Sequence, residues 1–192
     1  MTNETKEKLL IVGSGGFGRV TYENALTQYN CSFVDDGYEI GTDICGAKVV
    51  GKISDLAVLK KDFDNLVVSI GNNDVRGRIY TEAKTLGYRF PNVVCGSAYI
   101  SPFASVGEGC VILNNAVVQN GAKVGNGVIL NPGVEVHHDS QVGNNVCIYT
   151  NSVVRTYARV GDFVKIGSNV TITNEATVNE HEAVDDGMVV RK

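Results

Sequence analysis

The chain has 192 residues, 43% of them hydrophobic, with 17 basic and 21 acidic side chains and a formal net charge of −4. That length allows one large domain or two small ones, and the scattered basic residues argue against a nucleic-acid or polyanion surface. The polar start, Met1 to Lys8, reads as no signal peptide. No apolar run nears the ~20 residues of a membrane span, and five cysteines without a CxxC spacing read as reduced packing residues of a cytoplasmic protein.

Residues 8 to 96 alternate strand and helix signals. Leu9-Leu10-Ile11-Val12 predicts a short buried strand, and Gly13-Ser14-Gly15-Gly16-Phe17-Gly18 fits GxGxxG and opens a helix through Leu26. Such a loop brings backbone N–H groups close to a phosphate at a helix N-terminus. Ser32-Phe33-Val34 predicts a second strand ending in Asp35-Asp36, about twenty residues past the glycines, where dinucleotide folds hold a ribose hydroxyl. A short helix is expected from Ser54 to Lys61 with Ser54 as N-cap. Leu66 to Ile70 predicts a third strand, followed by Gly71-Asn72-Asn73-Asp74 and a helix from Val75 to Leu86, stopped by Gly87. Asn92-Val93-Val94 reads as a last strand. The alternation argues a small parallel α/β domain, with the glycine loop, Asp35-Asp36 and Gly71-Asn72-Asn73 around one crevice at the strands' carboxyl ends. About ninety residues make only one mononucleotide-binding half, which suits a mononucleotide or nucleotide-linked sugar better than NAD.

From Ile100 to Val190 an apolar branched residue recurs at every sixth position, sixteen times in sixteen. Two residues before each, from Ala98 to Ala176, stands a small or apolar side chain. A period of six fits neither a helix nor a half-buried strand; it fits a hexapeptide β-helix, three short strands and three corners per eighteen-residue coil. Burying one branched side chain stabilises by roughly 1.5–3 kcal/mol, so such a stack needs no helical core.

The outward positions of the repeats carry Asn, Gly, Glu, Lys and Thr, a solvated face. The exception is His137-His138-Asp139. An imidazole titrates near neutral pH and takes a proton from an attacking amine or hydroxyl; an adjacent carboxylate fixes its tautomer and stabilises the imidazolium. Asn131 lies at the preceding corner. Thr156, eighteen residues past His138, falls one coil above it, where its backbone N–H would face an oxyanion. No Cys/His set has metal-ligand spacing, so no metal site is expected. His181 reads as a surface residue.

Taken together, Ile11 to Gly16, Phe33 to Asp36, Ser69 to Arg76, and Leu130-Asn131 through Gly143 resemble the PglD/NeuD-type sugar acetyltransferases, members of the left-handed β-helix acyltransferases. The resemblance runs from Lys8 to about Ile172. It implies a trimer with acetyl-CoA between neighbouring prisms and a nucleotide-linked sugar held by the N-terminal domain. It implies His138 as general base, Asp139 as its acidic partner and Asn131 as a residue placing the acceptor. Nucleotide contacts would map to Ser14, Gly15, Gly16, Phe17, Asp35, Asp36, Asn72 and Asn73, and cofactor contacts to Cys147 and Thr156. The chain departs from the family's pattern in four places. Phe17 stands where the family usually has His, Cys147 where it has a second His, and Thr156 where it often has Gly. The usual Gly-x-Pro-Ala-Lys/Arg closing segment is absent.

The expected protein is therefore an N-terminal Rossmann-like domain (residues 1–96) followed by a left-handed parallel β-helix (97–192). The expected activity is acetyl-CoA-dependent N-acetylation of a nucleotide-linked amino sugar. O-acetylation of sialic acid or another glycan hydroxyl is one alternative. A non-catalytic nucleotide-sugar-binding β-helix, suggested by Cys147, Thr156 and the short tail, is another.

Overall fold

The computed structural model describes residues 6–192; residues 1–5 of the polar start lie outside the described residues. The first part is a five-stranded sheet of order β3-β4-β2-β1-β5. Its strands are β1 (Glu7–Val12), β2 (Tyr29–Val34), β3 (Asp43–Ile44), β4 (Ala47–Gly51) and β5 (Asn65–Val68). β1 pairs in parallel with both β2 and β5, and β2 with β4. The helices are α1 (Gly16–Ala25), α2 (Leu56–Leu59) and α3 (Asn73–Thr85). Leu9 and Ile11 pack on one side of the sheet and Leu10 and Val12 on the other. That is why β1 reads as a continuous apolar run rather than an alternation.

Two expectations for this region change, and one element is added. The Ser54 cap is replaced by a 3₁₀ turn, Ile53–Asp55, in which the Asp55 carboxylate accepts from the Lys52 amide at 2.8 Å. The β3–β4 hairpin was unread, because Asp43-Ile44-Cys45-Gly46 turns at two positive-φ residues inside a polar stretch. The strand at Val93–Val94 pairs with Val111–Ile112 and is the first rung of the prism, not part of the α/β sheet. Its Val94 extends the six-residue series one step before Ile100.

The second part is a triangular prism of three parallel stacks with six, six and five strands, each strand two residues long. The first face begins at Val93–Val94, the second at Tyr99–Ile100 and the third at Ser105–Val106. Every strand pairs with the one eighteen residues on, as Val117 with Glu135 and Glu135 with Val153. The hexad residues and the small residues two before them share one interior, from Cys110 and Ile112 to Ala176 and Val178.

The corners explain the rest of the repeat. From Gly109 to Gly187 every sixth residue has a positive φ. It is 63–73° at Gly109, Gly121, Gly127, Gly133 and Gly187. It is 53–61° at Asn115, Asp139, Asn145, Asn151, Tyr157, Phe163, Asn169, Glu175 and His181. A left-handed residue costs about 1–2 kcal/mol for most side chains and least for Gly, Asn and Asp, which is why those types dominate the column.

The two parts are joined at one edge of the prism. The Arg76 side chain, from α3, is 1% exposed. Its Nε donates to Gly127 O at 2.9 Å, and one terminal nitrogen donates to Asn145 O at 2.6 Å and Asn73 Oδ1 at 2.8 Å. The other donates to Ile70 O at 2.8 Å. The Asn73 amide donates to Phe163 O and Val164 O, and Tyr80 Oη to Glu108. Gly127, Asn145, Phe163 and Glu108 all lie on the corner between the third and first faces. Val111 and Leu113, on the outside of the first face, complete the apolar cluster of the α1 side of the sheet.

Candidate active site

The carboxyl ends of β1, β2 and β5 open into a cleft of about 380 Å³ lined by Gly13, Gly15, Gly16, Phe17, Asp35, Asp36 and Ser69 to Gly71. The parallel register places these loops side by side, so the grouping made from sequence holds for them. α1 starts at the cleft with Gly15 as N-cap and no side-chain cap. Among the described residues no side chain caps its first amides, as an anion-binding helix end requires.

The individual roles are more divided than the grouping. Ser14 is buried and gives both its amide and its hydroxyl to Asp35 Oδ2, each at 2.7 Å. Asp35 Oδ1 accepts the Gly37 amide at 2.8 Å. Ser14 and Asp35 thus brace the loop. Burial works against the Asp35 charge, but the Ser14 and Gly37 hydrogen bonds and Lys52 outweigh it, so its pKa lies below the usual carboxylate range. Asp36 is exposed, with Oδ1 on the Ile53 amide at 2.9 Å. Phe17 lines the cleft and packs its ring on the core beneath α1. Asn72 and Asn73 stand apart from the cleft: Asn72 caps α3 by accepting the Val75 amide at 3.0 Å, and Asn73 ties α3 to the prism.

The second site surrounds His138, on the corner between the second and third faces. Asp139 holds the left-handed position there, which folds its carboxylate back onto the preceding ring: His138 Nδ1 to Asp139 Oδ2 is 2.9 Å. Thr156 Oγ1 stands 3.1 Å from His138 Nε2, and the His138 amide donates to Gln119 Oε1 at 3.0 Å. The Tyr157 ring meets the imidazole edge-on at 6.2 Å. A groove of about 690 Å³ runs from His138 and Asp139 past Asn120 and Gln119 to the exposed Phe103 and Tyr99. Gly121 lies between Phe103 and Asp139 in the same corner column, and a Cβ there would meet Asp139 Oδ1 at 2.5 Å. His137 takes no part; its Nε2 pairs with Glu135 at 2.9 Å.

Asn131 and Cys147 lie elsewhere. Asn131, at the corner between the first and second faces, donates to Ile148 O at 2.8 Å and stands 3.9 Å from Cys147 Sγ. Cys147 is 2% exposed, and burial pushes its thiol pKa up, so it is no ready nucleophile. Within one chain the docked α/β domain, Asn131 and His138 therefore occupy three different corners. Sequence reading missed the Thr156 hydroxyl, Gln119 and Arg76; the first two were reachable from the eighteen-residue coil. His181, read as surface, is half-exposed but stacks on Phe163 at 4.8 Å and lies 3.5 Å from Asp74 of α3. Among the described residues no cluster of His, Cys, Asp and Glu has metal-binding geometry, and no helix is long and apolar enough to cross a membrane.

Residues 8–83 match the PglD N-terminal domain, and residues 103–138 and 121–156 match the bacterial transferase hexapeptide (six repeats). The chain is similar to the acetyltransferase domain of PglB from Neisseria gonorrhoeae, with 30% identity, 97% of this chain and 92% of that one covered, and a TM-score of 0.91. Against the same domain in complex with acetyl coenzyme A the identity is 30%, the coverage 96% and 95%, and the TM-score 0.86. PerB from Caulobacter crescentus, in complex with CoA and GDP-perosamine, shares the fold at 21% identity, with 95% and 92% covered and a TM-score of 0.58. With an α/β domain docked on a hexapeptide prism, the chain belongs to the PglD/NeuD-type sugar acetyltransferases, acyltransferases of the left-handed β-helix family.

Proposed function

We propose that the protein transfers an acetyl group from acetyl-CoA to the amine of a nucleotide-linked amino sugar, with His138 as general base. The observation that carries this is the His138 Nδ1–Asp139 contact of 2.9 Å on the wall of an open groove. A carboxylate on Nδ1 keeps the proton there, leaves a lone pair on Nε2 and stabilises the imidazolium once that lone pair takes a proton. Acetyl-CoA is a substrate in this reading; the PglB acetyltransferase domain with acetyl coenzyme A supports it.

In this proposal the α/β domain holds the nucleotide-linked sugar at the glycine-loop cleft, and the prism, whose first rung is Val93–Val94, carries the chemistry. Asn131 places the acceptor, and the Thr156 amide faces the thioester oxygen. The working unit is a homotrimer in the cytoplasm, with each site between two prisms. Support for the trimer comes from the separation of the α/β domain, Asn131 and His138 onto three corners of one chain, since a neighbouring prism brings such corners together. The neutral amine attacks the thioester carbon, a tetrahedral intermediate forms, and CoA leaves as the thiol.

The test is a thiol-release assay with acetyl-CoA and UDP-, GDP- and dTDP-linked amino sugars, beside melting curves with acetyl-CoA and each free nucleotide. A ligand at about 100 times its Kd stabilises the folded form by roughly 2.7 kcal/mol. Turnover with one amino sugar, lost in a folded His138→Ala trimer, is the expected result. Near-wild-type turnover in that variant removes His138 from the role. Stabilisation by a nucleotide without any by acetyl-CoA favours the binding-protein reading.

A further inference from the structure

The lone pair of His138 that the reaction needs is already occupied. Asp139 engages Nδ1 at 2.9 Å, so the ring proton sits there and Nε2 is the acceptor. Thr156 Oγ1 lies 3.1 Å from that Nε2. With Nε2 unprotonated, the hydroxyl is the donor, and its own oxygen lone pairs stay free to accept. The Gln119 side chain anchors the His138 amide from below, and Tyr157 stands edge-on to the ring. The Thr156 oxygen thus stands on the ring atom that must take the proton, one coil above the groove that His138 and Asp139 line.

We propose that the Thr156 hydroxyl relays the proton between the acceptor and His138. This rests on the reading of His138 as base and adds a step to it. The amine lone pair forms the N–C bond and the carbonyl π electrons move to oxygen. The N–H proton of the resulting ammonium centre passes to Thr156 Oγ while the Thr156 proton passes to His138 Nε2. When the carbonyl re-forms and the C–S bond breaks, the imidazolium returns its proton by the same hydroxyl to the CoA sulfur. The products are the amide and free CoA, with Thr156 and His138 as they began.

Thr156→Val keeps the β-branched shape and the backbone N–H while removing the hydroxyl; Thr156→Ser keeps the hydroxyl. Both are compared with wild type and His138→Ala in single turnovers, using acetyl-CoA and the UDP-, GDP- or dTDP-linked amino sugar that the wild type acetylates. The expected result is a fall of about 10- to 100-fold in the Thr156→Val rate. The acetyl-CoA KM should stay within about 2-fold, and most of the rate should return in Thr156→Ser. The rate in H₂O/D₂O mixtures should curve in the wild type, as for two moving protons, and become linear in Thr156→Val, which a merely structural role does not produce. A Thr156→Val rate at or above wild type overturns the relay. If that variant is fully active while His138→Ala is dead, the relay fails and the base stands; an active His138→Ala removes the base itself.

Discussion

His138 Nδ1 and Asp139 Oδ2 stand 2.9 Å apart although their residues are neighbours in sequence. On an extended strand two adjacent side chains point to opposite faces. Here Asp139 occupies the left-handed corner, φ 61°, and turns its carboxylate back toward the ring. The same column holds Asn at 115, 145, 151 and 169, so Asp139→Asn keeps the corner and removes only the charge. Its expected effect is a loss of about 100-fold or more in kcat with melting temperature unchanged. Steady-state kinetics beside a melting curve check it; an Asn variant with wild-type kcat would show that the carboxylate is ornamental to the base.

Arg76 is the joint between the two domains. Burial lowers its pKa, yet no carboxylate is among its hydrogen-bond partners; those are three backbone carbonyls and the Asn73 amide oxygen. Arg76→Met fills similar volume and leaves these acceptors without a donor, each at a cost of about 1–3 kcal/mol where water does not enter. The expected outcome is a loss of about 3 kcal/mol or more in denaturant unfolding. A weakened joint also frees the cleft to shift against the prism, so KM should rise for the nucleotide-linked sugar and stay near wild type for acetyl-CoA.

The prism was legible residue by residue, because its code is local: an interior pair and a corner, repeated every six positions. His138, Asp139 and the glycine loop were legible for the same reason, each being a short motif. What escaped depends on which elements meet. Asn73 looked like a crevice residue because it follows a strand's carboxyl end, but its amide satisfies carbonyls of a coil ninety residues away. Cys147 reads both as a packing cysteine and as a cofactor contact. It has the outward phase of its strand, but Val111, Ile129 and Cys147 form one buried column on the first face, which agrees with the packing reading. A hexad pattern gives inward and outward phases but cannot tell which outward face a second domain covers.

Asp35 gives the cleft a defined acid dependence. Its folded-state pKa lies below the usual carboxylate value, so the stability it contributes is present above its unfolded pKa of about 3.9 and is lost as pH falls through the lower folded value. Asp35→Asn should therefore melt below wild type at pH 7, with the gap closing as pH drops below about 4. Melting curves of both proteins from pH 7 to pH 2.5 read this directly, and a gap that persists unchanged into acid shows that the charge on Asp35 does not brace the loop.

The glycine loop contains two kinds of glycine, and separate substitutions distinguish packing from ligand binding. A Cβ on Gly18 would lie 2.0 Å from the Gly13 carbonyl oxygen, in backbone that cannot yield without moving α1 off β1. Gly18→Ala should lower the melting temperature of the ligand-free protein by several degrees, and any loss of nucleotide binding would follow from that. A Cβ on Gly15 meets nothing within 4 Å, and Gly15 lines the cleft at the open end of α1. Gly15→Ala loses a favourable N-cap residue, worth under about 1 kcal/mol, which in a chain this long is about 2–4 °C. Its methyl group points into space that a phosphate at the helix end would need. The expected pattern is a nearly normal melt for Gly15→Ala without ligand and a lost thermal shift with UDP, GDP or dTDP, whichever stabilises the wild type. A Gly15→Ala protein that keeps the full nucleotide shift would make the loop a packing turn between β1 and α1, and the nucleotide would have to be sought elsewhere on the domain.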